Sequence, residues 1–296
     1  MKKSTVTAAV MAAAFTACGL GAAASASPSA GAPLNVVAMG DSTASGTGAG
    51  YYHRGTHGTC WRSSNSYSEV AVAKLRAEGR KVEYTSVACS GASIDDVRTT
   101  FKGQPSQLDV LKPNTNVVLL TLGANDINYV EFGGLCMQGD CSKAAGPVLE
   151  KLPAMAKNLA KLIGEIKAKS PKAKVVVVGY GRQLTNGANG AAAADPICDA
   201  SVFSAEERTE GSKIVTSLDL TLRATAKLTG SAFVSPLADS VNPTKEFAGH
   251  SQCDAAAPYY RGFDALAPGQ EGQEAVLHLN KDGQAALGGL VAAKLR

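Results

Sequence analysis

Five short apolar runs punctuate the chain, at Asn35–Met39, Val82–Val87, Val117–Leu122, Lys174–Gly179 and Ala232–Ser235. The first gives way to Gly40-Asp41-Ser42, as a buried parallel strand does where it hands over to a loop, and the others read alike. Between the third and fourth runs, Leu152, Met155, Leu159, Leu162, Ile163 and Ile166 recur at spacings of three and four, the period of an amphipathic helix. Tyr67–Arg76, Thr209–Leu228 and Asp282–Leu295 are further helical candidates. Strands alternating with helices predict an α/β fold with a parallel sheet covered on both faces. In such a sheet the ligand site lies beyond the carboxyl ends of the strands. Two longer connections, Gly46–Ser66 and Asn186–Phe203, are rich in Gly, Ala, Ser and Asn, and each contains a cysteine. No repeat or compositional break interrupts the pattern, so residues 27–296 read as one domain.

Ahead of the first strand the pattern changes character. Lys2 and Lys3 precede an alanine-rich apolar stretch that ends at Ala24-Ser25-Ala26, which predicts a secretory leader cleaved after Ala26 and an extracellular protein. A rival reading makes Phe15-Thr16-Ala17-Cys18 a lipoprotein site with Cys18 lipidated, although Phe is a poor fit there. No later run is long and apolar enough for a membrane span. The formal charge of +4 falls to +2 once the two leader lysines are removed, which points to neither nucleic acid nor an anionic surface as partner. Six cysteines remain, at 60, 89, 136, 141, 198 and 253, and an even number in an exported chain predicts three disulfides. Sequential pairing, Cys60–Cys89, Cys136–Cys141 and Cys198–Cys253, keeps each bridge within a local segment. No Cys-x-x-Cys or His-x-x-x-His spacing suggests a zinc site, and neither metal nor cofactor is expected. A monomer is the default expectation.

The candidate chemistry clusters at strand ends. Ser42 in Gly40-Asp41-Ser42 follows the first strand, where a serine is exposed at the sheet edge and nearby N–H groups can face an anion. Gly91 in Cys89-Ser90-Gly91-Ala92 follows the second, and glycine lets the backbone N–H approach a substrate oxygen. Asn125 in Gly123-Ala124-Asn125-Asp126 follows the third and offers a side-chain amide donor. A serine hydroxyl needs a base to take its proton, and the chain has only His53, His57, His250 and His278 to supply one. His278 lies just before the last helix, where a loop residue can face the strand ends. His53 and His57 sit in a Gly-rich loop and read as surface residues. His250, near Cys253, is a second choice. Asp41 and Asp126 read as structural carboxylates that accept backbone N–H bonds in their turns.

Taken in order, Gly-Asp-Ser, Ser-Gly, Gly-x-Asn-Asp and a C-terminal histidine resemble the SGNH (GDSL-like) hydrolase superfamily from Asn35 to Arg296. Ala88-Cys89-Ser90-Gly91-Ala92, Cys60-Trp61-Arg62-Ser63 and the six cysteines are similar, more narrowly, to its secreted actinobacterial lipases and esterases. The resemblance implies a three-layer α/β/α, flavodoxin-like fold with about five parallel strands, three local disulfides, and hydrolysis of small-molecule or lipid esters. It implies Ser42 as nucleophile, His278 as base, and an oxyanion hole of Ser42 N–H, Gly91 N–H and the Asn125 side chain. The sequence departs from the pattern where many relatives carry an Asp three residues before the histidine, for Ala275 stands there and Glu274 one further back. Orientation of the histidine is then expected from the Ala275 backbone carbonyl or from Glu274. Leu279 also stands where proline is frequent.

Two other readings make different demands. A polysaccharide acetylesterase of the same fold would need aromatic platforms, for which Tyr51, Tyr52, Trp61, Tyr259 and Tyr260 are the candidates. A secreted binding module would need none of the serine chemistry that the chain retains. Val130–Cys141 and Asn186–Phe203 are the segments expected to shape an acyl pocket.

Overall fold

All five apolar runs are strands, and they pair in parallel in the order β2-β1-β3-β4-β5. These are β1 (Leu34–Gly40), β2 (Val82–Ser86), β3 (Val117–Thr121), β4 (Lys174–Val178) and β5 (Ala232–Val234). The computed structural model describes residues 32–186, 195–237, 245–254 and 257–296. The expected leader at 1–26, with its Cys18 alternative, lies outside them, as do 187–194 of the second long connection. Pro33–Arg296 is one compact unit.

Successive side chains of a strand point to opposite faces, so strands apolar throughout feed two cores. Val37, Met39, Val118, Leu120, Val175 and Val177 face one side. They meet helix α5 (Leu152–Lys169) through Leu159, Leu162, Ile163 and Ile166, and helix α6 (Ala205–Leu228) through Ile214, Leu218 and Leu222. Val36, Ala38, Val117, Leu119, Val176 and Val178 face the other. There they meet α2 (Tyr67–Ala77) and α7 (Lys281–Leu295). The result is the three-layer architecture expected, with the flavodoxin-like strand order.

Helix α6 begins a turn earlier than its apolar period, because Ser204 and Glu207 form a capping box that satisfies the free N–H groups at its start. Val130–Cys141, expected only as a pocket-shaping segment, is largely the helix α3 (Tyr129–Gln138). Its Gly133-Gly134 pair weakens the helical signal, and the Cys136–Cys141 disulfide closes its far end. The short helix α4 (Ala145–Leu149) follows. Cys60–Cys89 and Cys198–Cys253 complete the three bridges. No helix among the described residues is long and apolar enough to cross a membrane.

Candidate active site

Strand order reverses between β1 and β3, and the crevice at such a switch point is where ligands bind in open α/β sheets. Ser42 follows β1 directly. Gly40 makes that junction possible: its φ is +134°, and a Cβ there would stand 2.1 Å from the Thr121 carbonyl oxygen. Asp41 caps the one-turn helix α1 (Ser42–Ser45), its Oδ1 accepting the Thr43 N–H at 3.0 Å. Ser42 therefore begins a turn rather than ending a strand, and its own N–H has no partner among the described residues.

His278 arrives from the other end of the chain. Its Nε2 lies 2.7 Å from Ser42 Oγ. Its Nδ1 lies 3.3 Å from the Val276 carbonyl, which fixes Nδ1 as the protonated nitrogen and leaves Nε2 free to accept. The orienting carbonyl is thus neither of the two groups anticipated. Ala275 O is occupied by the His278 backbone N–H at 3.0 Å, and Glu274 is exposed, with no bond to the imidazole. The cause is local: Leu277 takes a left-handed conformation with φ of 60°, which turns the Val276 carbonyl under the ring. Burial pushes the His278 pKa down to about 4, against the opposing pull of the Val276 carbonyl.

The Gly91 and Asn125 turns are tied to each other and to Ser42. Cys89 N–H donates to Gly40 O at 3.0 Å, and Asn125 Nδ2 donates to Ala92 O at 2.9 Å. Gly91, exposed and at φ +83°, has an N–H without a partner among the described residues. One residue that sequence reasoning missed links two of these turns. Tyr180, just past β4, donates its hydroxyl to Asp41 Oδ2 at 2.5 Å and accepts the Ala124 N–H at 3.2 Å. A tyrosine between two glycines at a strand's carboxyl end was the available signal.

Asp41 is fully buried, and burial pushes its carboxyl up to about 7 despite the bonds from Tyr180, Thr43 and Ala44. Asp126 accepts the Ile94 N–H at 3.1 Å and is pushed up by burial to about 6. Neither carboxylate bonds to His278. Of the other histidines, His53 reaches Glu69 at 3.3 Å, His57 packs against Trp61, and His250 stacks on Tyr259.

From Ser42 a cavity of about 410 Å³ opens between α3 and α6. Val130, Phe132, Met137, Phe203, Val215 and Leu277 make most of its wall apolar, and Asn125 and His278 close it at the sheet. Among the described residues one group of potential metal ligands lies together, Cys136, Cys141 and Glu207. The two sulfurs there are joined to each other, and Glu207 Oε1 accepts the Cys141 N–H at 3.0 Å.

A serine and an imidazole in contact at the switch point are the pairing that serine hydrolases use. The chain belongs to the GDSL-like lipase/acylhydrolase family, whose model matches residues 38–286. It is 35% identical over 153 residues to a lipase of Streptomyces rimosus, a stretch that is 49% of this chain and 52% of that one. The chain thus spans about half the length of the curated relatives it matches. The crystal structure of an extracellular lipase from Streptomyces rimosus superposes with a TM-score of 0.71 at 26% identity, covering 88% of this chain and 99% of that one. Phospholipase A1 from Streptomyces albidoflavus NA297 gives 0.70 at 25%, covering 89% and 99%.

Proposed function

We propose that the protein is a secreted serine esterase that cleaves carboxylic esters with an apolar acyl group, with Ser42 as nucleophile and His278 as general base. The observation that carries this reading is the 2.7 Å contact between His278 Nε2 and Ser42 Oγ at the mouth of the apolar cavity. Ser42 Oγ attacks the ester carbonyl as its proton passes to Nε2. The oxyanion receives hydrogen bonds from Ser42 N–H, Gly91 N–H and the Asn125 amide. His278 then protonates the departing alcohol, leaving an acyl-Ser42 ester, and water repeats the sequence to release the acid. Secretion is supported by the leader sequence and the three disulfides, which persist in oxidising compartments. Purified protein assayed on p-nitrophenyl esters from acetate to palmitate tests the reading directly. Turnover that rises with chain length supports it, and inertness on every ester overturns it.

The acyl cavity favours fatty esters over acetylated glycans. Of the five aromatics that could form a sugar platform, Trp61 and Tyr260 are buried, Tyr52 packs edge-on against Trp61, and Tyr259 is stacked on His250. Tyr51 alone stands well out, 77% exposed. Gly211 offers a handle on the cavity itself. It lines the wall from within α6, and a Cβ there would meet Phe132 at an ordinary 3.8 Å. Gly211→Leu should therefore fold, fill part of the cavity, and lower kcat/KM on a decanoate about tenfold relative to acetate, roughly the loss of two buried methylenes. Parallel assays on the two esters measure that ratio.

The low pKa of His278 makes a second prediction. The base works only when neutral, and its neutral fraction is lost as pH falls through about 4 rather than through the usual 6.5. The acid limb of kcat/KM should therefore lie well below the ordinary histidine value. Asp41 titrates higher, near 7, so the profile is measured in parallel on Asp41→Asn. A limb near 4 that persists in that variant belongs to His278, since Asp126 is pushed up to about 6, and a limb near 6.5 in both proteins with none near 4 contradicts the assignment.

A further inference from the structure

Among the described residues no carboxylate touches His278, and on the side away from Ser42 its ring is held by a neutral contact of 3.3 Å to Val276 O. The imidazole is placed instead by the loop segment that carries it. Arg261 holds that segment on both sides of the His278 Cα: its N–H donates to His278 O at 2.8 Å, and its carbonyl accepts the Leu277 N–H at 2.9 Å. The Arg261 side chain reaches the nucleophile's loop, Nη1 donating to Gly48 O at 3.2 Å and to Glu271 Oε2 at 2.8 Å. Glu271 Oε1 accepts the Tyr52 hydroxyl at 2.9 Å, and the Tyr52 oxygen accepts the Gly48 N–H at 2.9 Å. These four residues form a closed ring. Gly48 is at once a member of it and the seat of the histidine, since a Cβ there would lie 3.2 Å from His278 Cβ and 3.1 Å from Leu279 O. The Ser42 end is tied in as well, for Thr47 N–H donates to Ser42 O at 3.0 Å.

The ring is built for stiffness. The Arg261 and Glu271 side chains are only 12% and 8% exposed, so water competes little for their bond. The remaining guanidinium nitrogens are held by Asp264 Oδ2 at 2.6 Å and Gln270 Oε1 at 3.1 Å, which leaves the planar fork one orientation.

We propose that Glu271, acting through Arg261, is a positioning residue that keeps His278 within hydrogen-bond reach of Ser42, doing at one remove what a triad carboxylate does by touching the imidazole. The inference rests on the esterase reading of the same site. Its physical basis is that an error of about 1 Å in the placement of a reacting group costs on the order of 10² in rate.

The test compares wild type, Glu271→Gln and Tyr52→Phe in steady-state turnover of a p-nitrophenyl ester and in the rate at which a p-nitrophenyl alkylphosphonate labels Ser42. Thermal melts establish the folded fraction. Glu271→Gln should lower kcat and the labelling rate together by about 10- to 100-fold per folded molecule, with KM within about twofold. In a His278→Ala background the same substitution should cost no further labelling rate, because its effect passes through the imidazole. A purely structural role would lower the melting temperature and leave both rates per folded molecule unchanged, and that result overturns the proposal. If Glu271→Gln does not fold, Tyr52→Phe decides in its place: it opens the ring by one hydroxyl and should slow labelling at least about threefold, while an unchanged rate overturns the proposal. Wild-type protein that takes no label overturns the esterase reading itself, an outcome separate from a labelled wild type with equally labelled variants.

Discussion

Ser42→Ala should reduce turnover of a p-nitrophenyl ester to background, a fall of roughly 10⁴- to 10⁶-fold in kcat, and His278→Ala should fall by nearly as much. The two losses should not multiply. On the proposed mechanism serine and histidine act as one unit across their 2.7 Å contact, so once either is gone the other has no task left in the attack, and the double variant should match the worse single one. Neither substitution opens a large cavity or strands a buried charge: Ser42 loses one hydroxyl, and His278, neutral at pH 7, lies against the open wall of the acyl cavity. Folding should therefore survive both, as circular dichroism and melting curves would show. A Ser42→Ala protein that keeps more than about 1% of wild-type kcat would remove Ser42 from the mechanism, since the oxyanion donors alone account for far less of the acceleration.

Where the candidate residues fall in the fold was legible in the sequence, for a reason particular to this architecture. In a parallel sheet ligand sites lie at the turns after the strands, so the candidates Ser42, Gly91 and Asn125 follow apolar runs that periodicity detects. His278 could be found because only four histidines compete for its role. What orients that histidine could not be found in the same way. The choice of Val276 O over Ala275 O depends on Leu277 adopting φ of 60°, a conformation leucine does not advertise. Contacts remote in sequence left no signal either. Tyr52 and Glu271 are 219 positions apart, and Asp41 and Tyr180 are 139 apart, so each pair exists only because the sheet and its loops bring the two together. Helix α3 was hidden for a third reason, that its Gly133-Gly134 pair carries no periodic information.

Asn125→Ala should lower kcat by about 10² to 10³ with little change in KM, because the lost donor faces charge that develops only in the transition state. The geometry sharpens this expectation. Asn125 Nδ2 already donates one hydrogen to Ala92 O at 2.9 Å, which leaves the second for the oxyanion. The same bond ties the Asn125 turn to the residue after Gly91, so removing it also frees the turn that presents the Gly91 N–H. Asn125→Asp separates these contributions. It keeps the shape of the side chain but has no donor for either partner and brings a negative charge to the place where one must form, so it should be at least as slow as the alanine variant. On the proposed reading, binding of a neutral substrate draws on the apolar walls at Phe132, Phe203 and Val215, which neither substitution touches. A transition-state mimic such as an alkyl boronate should lose affinity for Asn125→Ala in proportion to the fall in kcat/KM, while an uncharged ketone analogue of the substrate binds as before. Equal losses for the boronate and the ketone would mean that Asn125 shapes the pocket rather than stabilising the oxyanion, and would leave the hole to the two backbone donors alone.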